Sequence, residues 1–468
     1  MSDLQHAPLV AGPATPPVIT PAAPAQRQES TDRVFATCAW RLIPFLGLLY
    51  LASYLDRVNA GFAALTMNRD LGFSAAVFGL GGGIFFAGYL LFQIPANAIL
   101  LRLGARRWIF LLLTIWGTIS GATGFIRDAG EFYVLRFLLG VAEAGLFPGV
   151  MFYLGLWFPQ RYRVRFAAVF VCAIPLSGLV GAPLSAAILG MNGIAGLHGW
   201  QWLFLLEGLP APLLGILVLK LLPDHPAAAD WLRSDEKAVI ASQLASEAVV
   251  GKQTLADALR DSRIIVLSLA GFAAGSALYA TGLWLPQIVS AMGFSNLGTG
   301  MVVALIYAAA MVMIVTWGYS SDRYGERFRH VAIAWLIAAA GFALASTSTS
   351  STLVLAGLAL AAAGIPAAIA PYYTLPSTFL RGAAEAGGIG AMNTIVSLGG
   401  FAGPYLIGVL KDRSGTYSSG MAILAGELAI ASAMVLVLAR RIGRSTDIRR
   451  ARDPDAGDRP QELSLHRF

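Results

Sequence analysis

The polar turn Gly-Tyr-Ser-Ser-Asp-Arg-Tyr-Gly-Glu-Arg, residues 318–327, separates two long apolar stretches near 299–319 and 330–347. Each stretch has roughly the 20 residues that a helix needs to cross ~30 Å of hydrocarbon. Similar stretches recur along nearly all of the 468 residues, of which 57% are hydrophobic and 13% charged. Soluble domains carry roughly 25% charged residues. A water-soluble fold could not bury this much apolar surface, so the sequence predicts an integral membrane protein.

The apolar stretches are continuous and lack the polar alternation that the lumen of a β-barrel requires. We therefore predict an all-α membrane protein with twelve transmembrane helices. The predicted spans are 38–62, 77–100, 107–126, 132–156, 166–190, 201–222, 264–288, 299–319, 330–347, 352–375, 386–410 and 420–440.

The chain contains an internal repeat. The Arg-x-Gly-x-Arg core of the polar turn occurs twice, starting at Arg102 and at Arg323, an interval of 221 positions (323 − 102). Pro183 and Pro404 are separated by the same interval (404 − 183). The two halves therefore read as copies of one six-helix unit. Parallel repeats of this kind are a known transporter plan, with the substrate site at their interface near the bilayer midplane.

The longest polar interruption sets the domain boundaries. The segment 223–263 is predicted to be a cytoplasmic central loop between an N-terminal bundle at 35–222 and a C-terminal bundle at 264–442. Residues 1–34 are rich in Pro, Ala, Gln and Thr, which predicts a disordered cytoplasmic tail that is not a cleaved signal peptide. Residues 443–468 are predicted to be a second cytoplasmic tail.

The basic residues indicate the orientation in the membrane. The net charge is +7, but Lys and Arg concentrate in alternate short loops, as the positive-inside rule describes. This predicts a multi-pass protein of the inner (plasma) membrane with both termini in the cytoplasm, and it leaves no reason to expect nucleic-acid binding. The loop residues that carry the bias are Arg102, Arg106, Arg107, Arg161, Arg163, Arg165, Arg323, Arg327, Arg329 and Arg381.

Several classes of function find no support. Cys38 and Cys172 fall in separate predicted helices, so neither a disulfide nor a redox role is indicated. The five histidines lie in tails, loops or at a helix end, and no metal cluster or catalytic constellation can be assembled. No phosphate-binding glycine-rich loop is present, so ATP is not the energy source. We predict that the protein is not an enzyme, has no metal or cofactor, and is a monomer in the lipid bilayer.

Ionisable residues inside predicted helices need a reason, because each costs roughly 2.5–3.5 kcal/mol at the bilayer centre. Asp56, Arg57, Arg136 and Glu143 are the main candidates. They could pair only to hold the first and fourth helices together, or they could also couple transport. Glu207 and Glu427 have no assigned partner and are interpreted as structural; their roles stay open.

The repeated turn resembles the signature loop of the major facilitator superfamily, Gly-x-x-x-Asp-Arg-x-Gly-x-Arg, which acts as a conformational switch. The second copy has the matching residues Gly318, Asp322, Arg323, Gly325 and Arg327. The first copy has Asn97 and Leu101 in place of the Gly and Asp, and it keeps Arg102, Gly104 and Arg106. That departure weakens any charge-relay latch assigned to the first half.

Further motifs resemble the anion:cation symporter family over roughly residues 35 to 440. They are Tyr54 to Phe62, Tyr89 to Pro95, Leu135 to Pro148 and Trp200 to Gly208. The nearest branch carries tartrate, phthalate and hydroxyphenylacetate, and other branches carry sugar acids. The resemblance implies the major facilitator fold and proton-coupled uptake of a small organic anion by alternating access. It also implies Tyr54, Tyr89 and Asn393 as polar cavity residues.

Charge balance gives a mechanism to test. An arginine can grip a substrate carboxylate through a planar two-point fork, provided that its resident acid releases it. We hypothesise that Asp56 and Glu143 take up the protons and that Arg57 or Arg136 contacts the anion. Asn59, which shares a helical face with Asp56, joins the predicted binding residues. The proton gradient would then be the energy source.

Two alternatives stay open. An efflux antiporter of the same fold gains support from the Gly-Leu-Val-Gly-Ala-Pro segment at 178–183, which partly resembles an antiporter glycine-proline motif. A membrane enzyme or receptor is a remote alternative. The sequence does not decide which anion is carried, or whether protons or sodium drive transport, because no spacing rule brings the walls of the cavity together.

Overall fold

The computed structural model describes residues 24–245 and 255–452, and within these ranges the chain is helical without any β-strand. The helices, in chain order, are α1 (Pro24–Asp70), α2 (Ala75–Leu103), α3 (Ala105–Thr123), α4 (Ala129–Glu143), α5 (Leu146–Trp157), α6 (Gln160–Leu189), α7 (Gly199–Gly208), α8 (Pro210–Leu221), α9 (Ser234–Ala245), α10 (Leu255–Arg260), α11 (Ser262–Ser290), α12 (Asn296–Tyr324), α13 (Arg327–Thr347), α14 (Ser351–Ala367), α15 (Ile369–Tyr373), α16 (Gly382–Ser414) and α17 (Ser418–Arg452). Short 3-10 helices lie at Ile194–Gly196, Pro226–Ala228 and Pro376–Thr378.

Eleven helical spans in the described ranges are long and apolar enough to cross a membrane. The predicted third span, α3, falls outside that set because Arg106 and Arg107 in its first turn lower its mean hydropathy. Its 19 residues still form a helix about 28 Å long at 1.5 Å per residue, close to the hydrocarbon thickness. We therefore count α3 together with these eleven spans, which gives twelve spanning helices. The predicted all-α membrane fold is confirmed.

Local sequence signals explain where several helices begin and end. Ser74, Asp128 and Ser295 cap α2, α4 and α12, since each side chain accepts a backbone hydrogen bond from the first turn. The helices before the two polar turns, α2 and α12, end at glycines with positive φ, 77° at Gly104 and 65° at Gly325. Side chains disfavour this conformation, which explains why both copies of the turn keep glycine there.

The predicted tails and central loop contain more helix than expected. α1 begins at Pro24, inside the segment 1–34 that was predicted to be disordered, and residues 1–23 lie outside the described range. α17 continues through the start of the predicted tail 443–468 as far as Arg452. The central loop 223–263 includes α9 and α10.

The two halves meet mainly through three helix pairs, α1 with α11, α2 with α16, and α6 with α12. Glycines allow the backbones to approach closely: a Cβ built on Gly79 would lie 2.5 Å from the carbonyl oxygen of Pro404, and one on Gly408 would lie 2.3 Å from that of Ala75. Within the C-terminal half, the Trp284 indole of α11 donates to the same Pro404 carbonyl at 3.0 Å. Small residues at helix crossings are the usual basis of close packing in membranes.

These close approaches lie towards one membrane face. We call the face where α1 begins and α17 ends the terminal face, and the opposite one the far face. Gly61 against Leu283, Gly300 against Ala182 and the α2–α16 contacts all lie in the half of the bundle nearer the far face. The halves are therefore closed against each other on the far face.

Asp412, near the end of α16, bonds the start of α2 at this closed face. Its carboxylate oxygens accept from the backbone N–H of Ala75 at 2.9 Å and of Ala76 at 2.8 Å. A carboxylate at a helix N-terminus is stabilised by the unpaired N–H groups and the helix dipole. The same two bonds join the N-terminal half to the C-terminal half.

We expect Asp412→Asn to loosen this closure. The substitution removes the charge and one of the two acceptors, a loss of about 1 kcal/mol, which corresponds to roughly a fivefold shift towards far-face opening. The measurement is labelling of a cysteine at Thr281, in the interior between the halves, by an impermeant maleimide added at the far face in a Cys38→Ala/Cys172→Ala background. Asp128→Asn makes the same exchange at a helix cap that lies within one half, where the amide oxygen can still accept, and is the matched control. Equal labelling of the two variants would contradict the role of Asp412.

Candidate functional site

A cavity lies between the halves at the middle of the bundle. It encloses about 840 Å³ of atom-free space, part of it continuous with solvent, within the size range of small-molecule sites. The N-terminal half contributes Arg57 and Arg136, and the C-terminal half contributes Tyr279 and Tyr307. The wall is otherwise mostly apolar, so two guanidinium groups on one side supply its positive charge.

Arg57 and Glu143 form a buried ion pair beside this cavity. Nη2 of Arg57 lies 2.7 Å from Oε2 of Glu143, and Nε donates to the same oxygen at 2.8 Å. Ser53 also donates to Oε2, at 3.4 Å. The other carboxylate oxygen, Oε1, is buried without a partner. α1 and α4 are thus joined through one oxygen of Glu143 while the second oxygen is available to accept a proton.

Asp56 is held differently, behind the cavity wall. Its side chain accepts from Asn59 at 3.0 Å, from the Trp116 indole at 2.8 Å and from the Ser120 hydroxyl. The residue is 1% exposed and does not line the cavity. Three donors stabilise a carboxylate in its charged form. The two acids, for which the sequence predicts the same role, therefore have different surroundings. The carboxylate of Asp56 is saturated with hydrogen-bond donors, and that of Glu143 is not.

Arg136 has no ion-pair partner in the described part of the chain. The residue is 5% exposed, and its Nε is buried without a hydrogen-bond acceptor. Asp56 and Glu143 influence it only through space, and its guanidinium lies 5.4 Å from the centre of the Phe85 ring. A buried cation without a bonded anion is costly. Because Arg136 lies on the cavity wall, an anion in the cavity could bind it and compensate its charge.

Aromatic rings surround the Arg57 guanidinium. Its Cζ lies 5.0 Å from the ring centre of Tyr54, 5.3 Å from Phe85 and 5.9 Å from Tyr89. Tyr54 lines the cavity, whereas Tyr89 does not. Such contacts stabilise a cation by about 0.5–2 kcal/mol and hold the side chain in place.

The two asparagines predicted to bind substrate occupy different places. Asn59 is fully buried and bonds Asp56, so it stands behind the wall. Asn393, on α16, accepts a hydrogen bond from the Tyr373 hydroxyl at 3.1 Å. Neither lines the cavity. The sequence missed Phe85, Tyr279 and Tyr307 on the wall, and it missed Trp116 and Ser120 around Asp56, because an aromatic or hydroxyl residue in an apolar helix carries no signal of its neighbours.

The predicted switch turns lie at the terminal face. In the second copy, Arg327 lies 3.9 Å from Asp322. In the first, Arg106 reaches Asp224 at 3.2 Å and also donates to the Leu219 carbonyl. Asp224 belongs to the central loop, so in the degenerate copy the arginine finds its acid outside the turn. The remaining predicted positions are Arg102, Gly104, Gly318, Arg323 and Gly325, of which the glycines shape the turns as described above.

Two six-helix bundles with a charged cavity at their interface define a multi-pass membrane transporter rather than an enzyme. Residues 46–404 match the Major Facilitator Superfamily, and the chain belongs to this family. The family predicted from the signature turns is confirmed.

Relatives in this family extend over nearly the whole chain. A protein of Agrobacterium vitis named as a tartrate transporter is 44% identical over 422 residues, covering 90% of this chain and 94% of the relative. A quinolone resistance transporter of Acinetobacter baumannii is 38% identical over 396 residues, with 84% and 91% coverage.

The fold also matches a solved structure. It is a bacterial homologue of the human lysosomal transporter Spinster in an inward-facing, occupied conformation, with a TM-score of 0.70 at 18% identity, covering 85% of this chain and 96% of that one. At that identity the likeness establishes the fold alone.

Proposed function

We propose that the protein is a proton-coupled symporter that takes up a small organic anion by alternating access. The observation that carries this proposal is the unpaired, buried Arg136 on the cavity wall, next to the Arg57–Glu143 ion pair. A carboxylate entering the cavity would supply the anion that Arg136 lacks. Two guanidinium groups facing one apolar cavity favour an anionic substrate over a neutral or cationic one.

Charge balance links the anion to a proton. Asp56, Arg57, Arg136 and Glu143 together carry two negative and two positive charges, so the empty cluster is neutral. An added anion leaves one uncompensated negative charge in a medium of low dielectric, which is strongly unfavourable. Protonation of Glu143 at its unpartnered Oε1 would restore neutrality and release Arg57 to the substrate. Proton and anion would therefore bind together.

The residues that line the cavity indicate the chemical class of the substrate. Arginine forks suit carboxylates, and the tyrosines offer hydroxyl groups and aromatic faces. Tartrate-like, aromatic and sugar acids all combine a carboxylate with such features. The similarity to a tartrate transporter supports the first of these. We further propose an inner-membrane location with cytoplasmic termini, which makes the terminal face the cytoplasmic one, and a monomeric protein.

An efflux antiporter is the second candidate. The observation in its favour is the similarity to a quinolone resistance transporter over most of the chain. Efflux of a drug without a carboxylate would need no unpaired arginine in the cavity. Quinolones, however, do carry a carboxylate that such an arginine could bind. The direction of coupling separates the two: a symporter concentrates substrate on the side towards which protons flow, and an antiporter on the other.

We expect purified protein in proteoliposomes to concentrate a radiolabelled organic acid when the lumen is made alkaline. A panel of tartrate, a sugar acid and an aromatic acid should show uptake of at least one, abolished by a protonophore. A one-unit pH gradient, about 1.4 kcal/mol per proton, should support roughly tenfold accumulation per coupled proton. Expulsion of the acid under the same gradient would establish the antiporter, and no response from any acid would contradict both.

A further inference from the structure

Two buried oxygen atoms beside Asp56 lack a hydrogen-bond donor. One is Oδ1 of Asn59 and the other is Oε2 of Glu207. Glu207 is 9% exposed on α7, and its Oε1 accepts from the Ser185 hydroxyl at 2.7 Å. Its carboxyl lies beside the Asn59 side-chain amide. Two neighbouring acceptors without a donor in the membrane interior require an explanation.

The orientation of Asn59 is fixed by Asp56. Its Nδ2 donates to Oδ1 of Asp56 at 3.0 Å, and a carboxylate oxygen saturated by other donors can only accept. The Asn59 carbonyl oxygen is therefore turned away from Asp56 and must find its donor elsewhere. An ionised Glu207 could not provide one, because a carboxylate only accepts.

The surroundings of Glu207 do not compensate a charge. Its neighbours are Asp56 and Asn59 from α1 and Ser185 from α6. Asp56 in turn accepts from Ser120 and Trp116 of α3. Within the described ranges no Lys, Arg or His nitrogen lies within ion-pair distance of its carboxyl. A single hydroxyl donor does not offset the several kcal/mol needed to bury a carboxylate. A proton on Oε2 would supply the donor that both orphaned oxygens need.

We propose that Glu207 is a second proton-binding residue of the transporter, linked to Asp56 through the Asn59 amide. In the arrangement described, Asp56 is ionised, Glu207 carries the proton, and Asn59 donates to the first and accepts from the second. Rotating the Asn59 amide by half a turn exchanges the positions of its donor and its acceptor. Asp56 must then carry a proton and Glu207 must lose its own. The bridge thus holds one proton on the pair: it enters on Glu207, and once the amide has turned it leaves from Asp56, so that one proton crosses in each cycle. This inference rests on the proposed proton coupling.

The test compares Glu207→Gln with wild type in proteoliposomes. Glutamine keeps the shape and the donor, but it cannot ionise. We expect the proton-to-anion stoichiometry, measured as the anion gradient that balances a set pH gradient, to fall by one, while anion exchange at equal pH persists. Glu427→Gln is the matched control. Glu427 is a half-buried membrane acid on α17 with an unpartnered Oε2, and its carboxyl lies beside Ser276 of α11; its variant should keep the wild-type stoichiometry.

Two further measurements test the proposal, and the first of them does not depend on Glu207→Gln folding well. Asn59→Ser leaves both acids in place without the bridge and should also lower the stoichiometry by one. The infrared spectrum of the wild type at neutral pH should contain a protonated carboxyl band that is absent from the Glu207→Gln variant. Unchanged stoichiometry in both variants, or loss of a carboxylate band in place of a carboxyl band, would overturn the role of Glu207. A wild type without proton coupling would instead overturn the proposed function.

Discussion

Replacing Glu143 with glutamine is expected to abolish proton-driven accumulation of the anion while leaving anion exchange intact. Glutamine can still accept from Arg57 through its carbonyl oxygen, so the contact between α1 and α4 survives. It cannot take up or release a proton at the position of Oε1, which is buried without a partner in the native protein. The accumulation ratio under a one-unit pH gradient should fall from roughly tenfold per coupled proton to about one.

The measurement pairs two assays on the same proteoliposomes: uptake under a pH gradient, and exchange of labelled for unlabelled anion at equal pH. Glu131→Gln is the matched control, because Glu131 lies on the same helix but is exposed near its start. Accumulation that survives in Glu143→Gln would refute this residue as the coupling site. Loss of exchange together with accumulation would mean that Glu143 acts through the position of Arg57 alone.

Removing the guanidinium of Arg136 is expected to have the second large effect. Truncating one partner of a buried charge pair costs about 2–5 kcal/mol, so Arg136→Ala should lower the kcat/KM of anion transport by roughly thirtyfold or more. Arg136→Lys keeps the charge and the balance with Asp56 and Glu143, but it loses the two-point fork. We expect an intermediate loss of about tenfold, expressed mainly in KM, since lysine binds a carboxylate as a point charge.

Initial rates of anion uptake over a range of concentrations provide both constants. Arg127→Lys, at an exposed position just before α4, is the control for an arginine-to-lysine exchange near that helix. If Arg136→Ala bound the anion as tightly as the wild type, the guanidinium would be structural and the anion would lie against Arg57 alone. Comparing Arg57→Lys in the same assay then assigns the contact.

The fold was predictable because the membrane restricts what a chain can do. Continuous apolar stretches of about 20 residues must form helices in hydrocarbon, since every backbone polar group has to be satisfied within the segment. The boundaries of α12 and α13 around the polar turn at 318–327 follow from this rule, from the Ser295 cap and from the glycine at 325. α3 also forms where a span was predicted, although the two arginines next to its apolar run lower its mean hydropathy.

The candidate site was predictable only in its composition. Charges within apolar helices identified Asp56, Arg57, Arg136 and Glu143, because such residues are costly enough to need a reason. Their pairing did not follow: helical spacing places Arg136 and Glu143 on one face of α4, yet the bonded partner of Glu143 is Arg57, from another helix. Glu207 looked isolated in sequence and lies beside Asn59 in the fold.

The amino-acid sequence by itself determined the twelve helices, the two-fold repeat and the charged residues that the membrane must accommodate, since each depends on local hydropathy or on comparison along the chain. Tertiary structure alone decided which acid is saturated with donors, which arginine lacks an anion, and that the halves close on the far face. Those properties depend on contacts between helices distant in sequence, where a displacement of a few ångströms converts an ion pair into an unpaired charge.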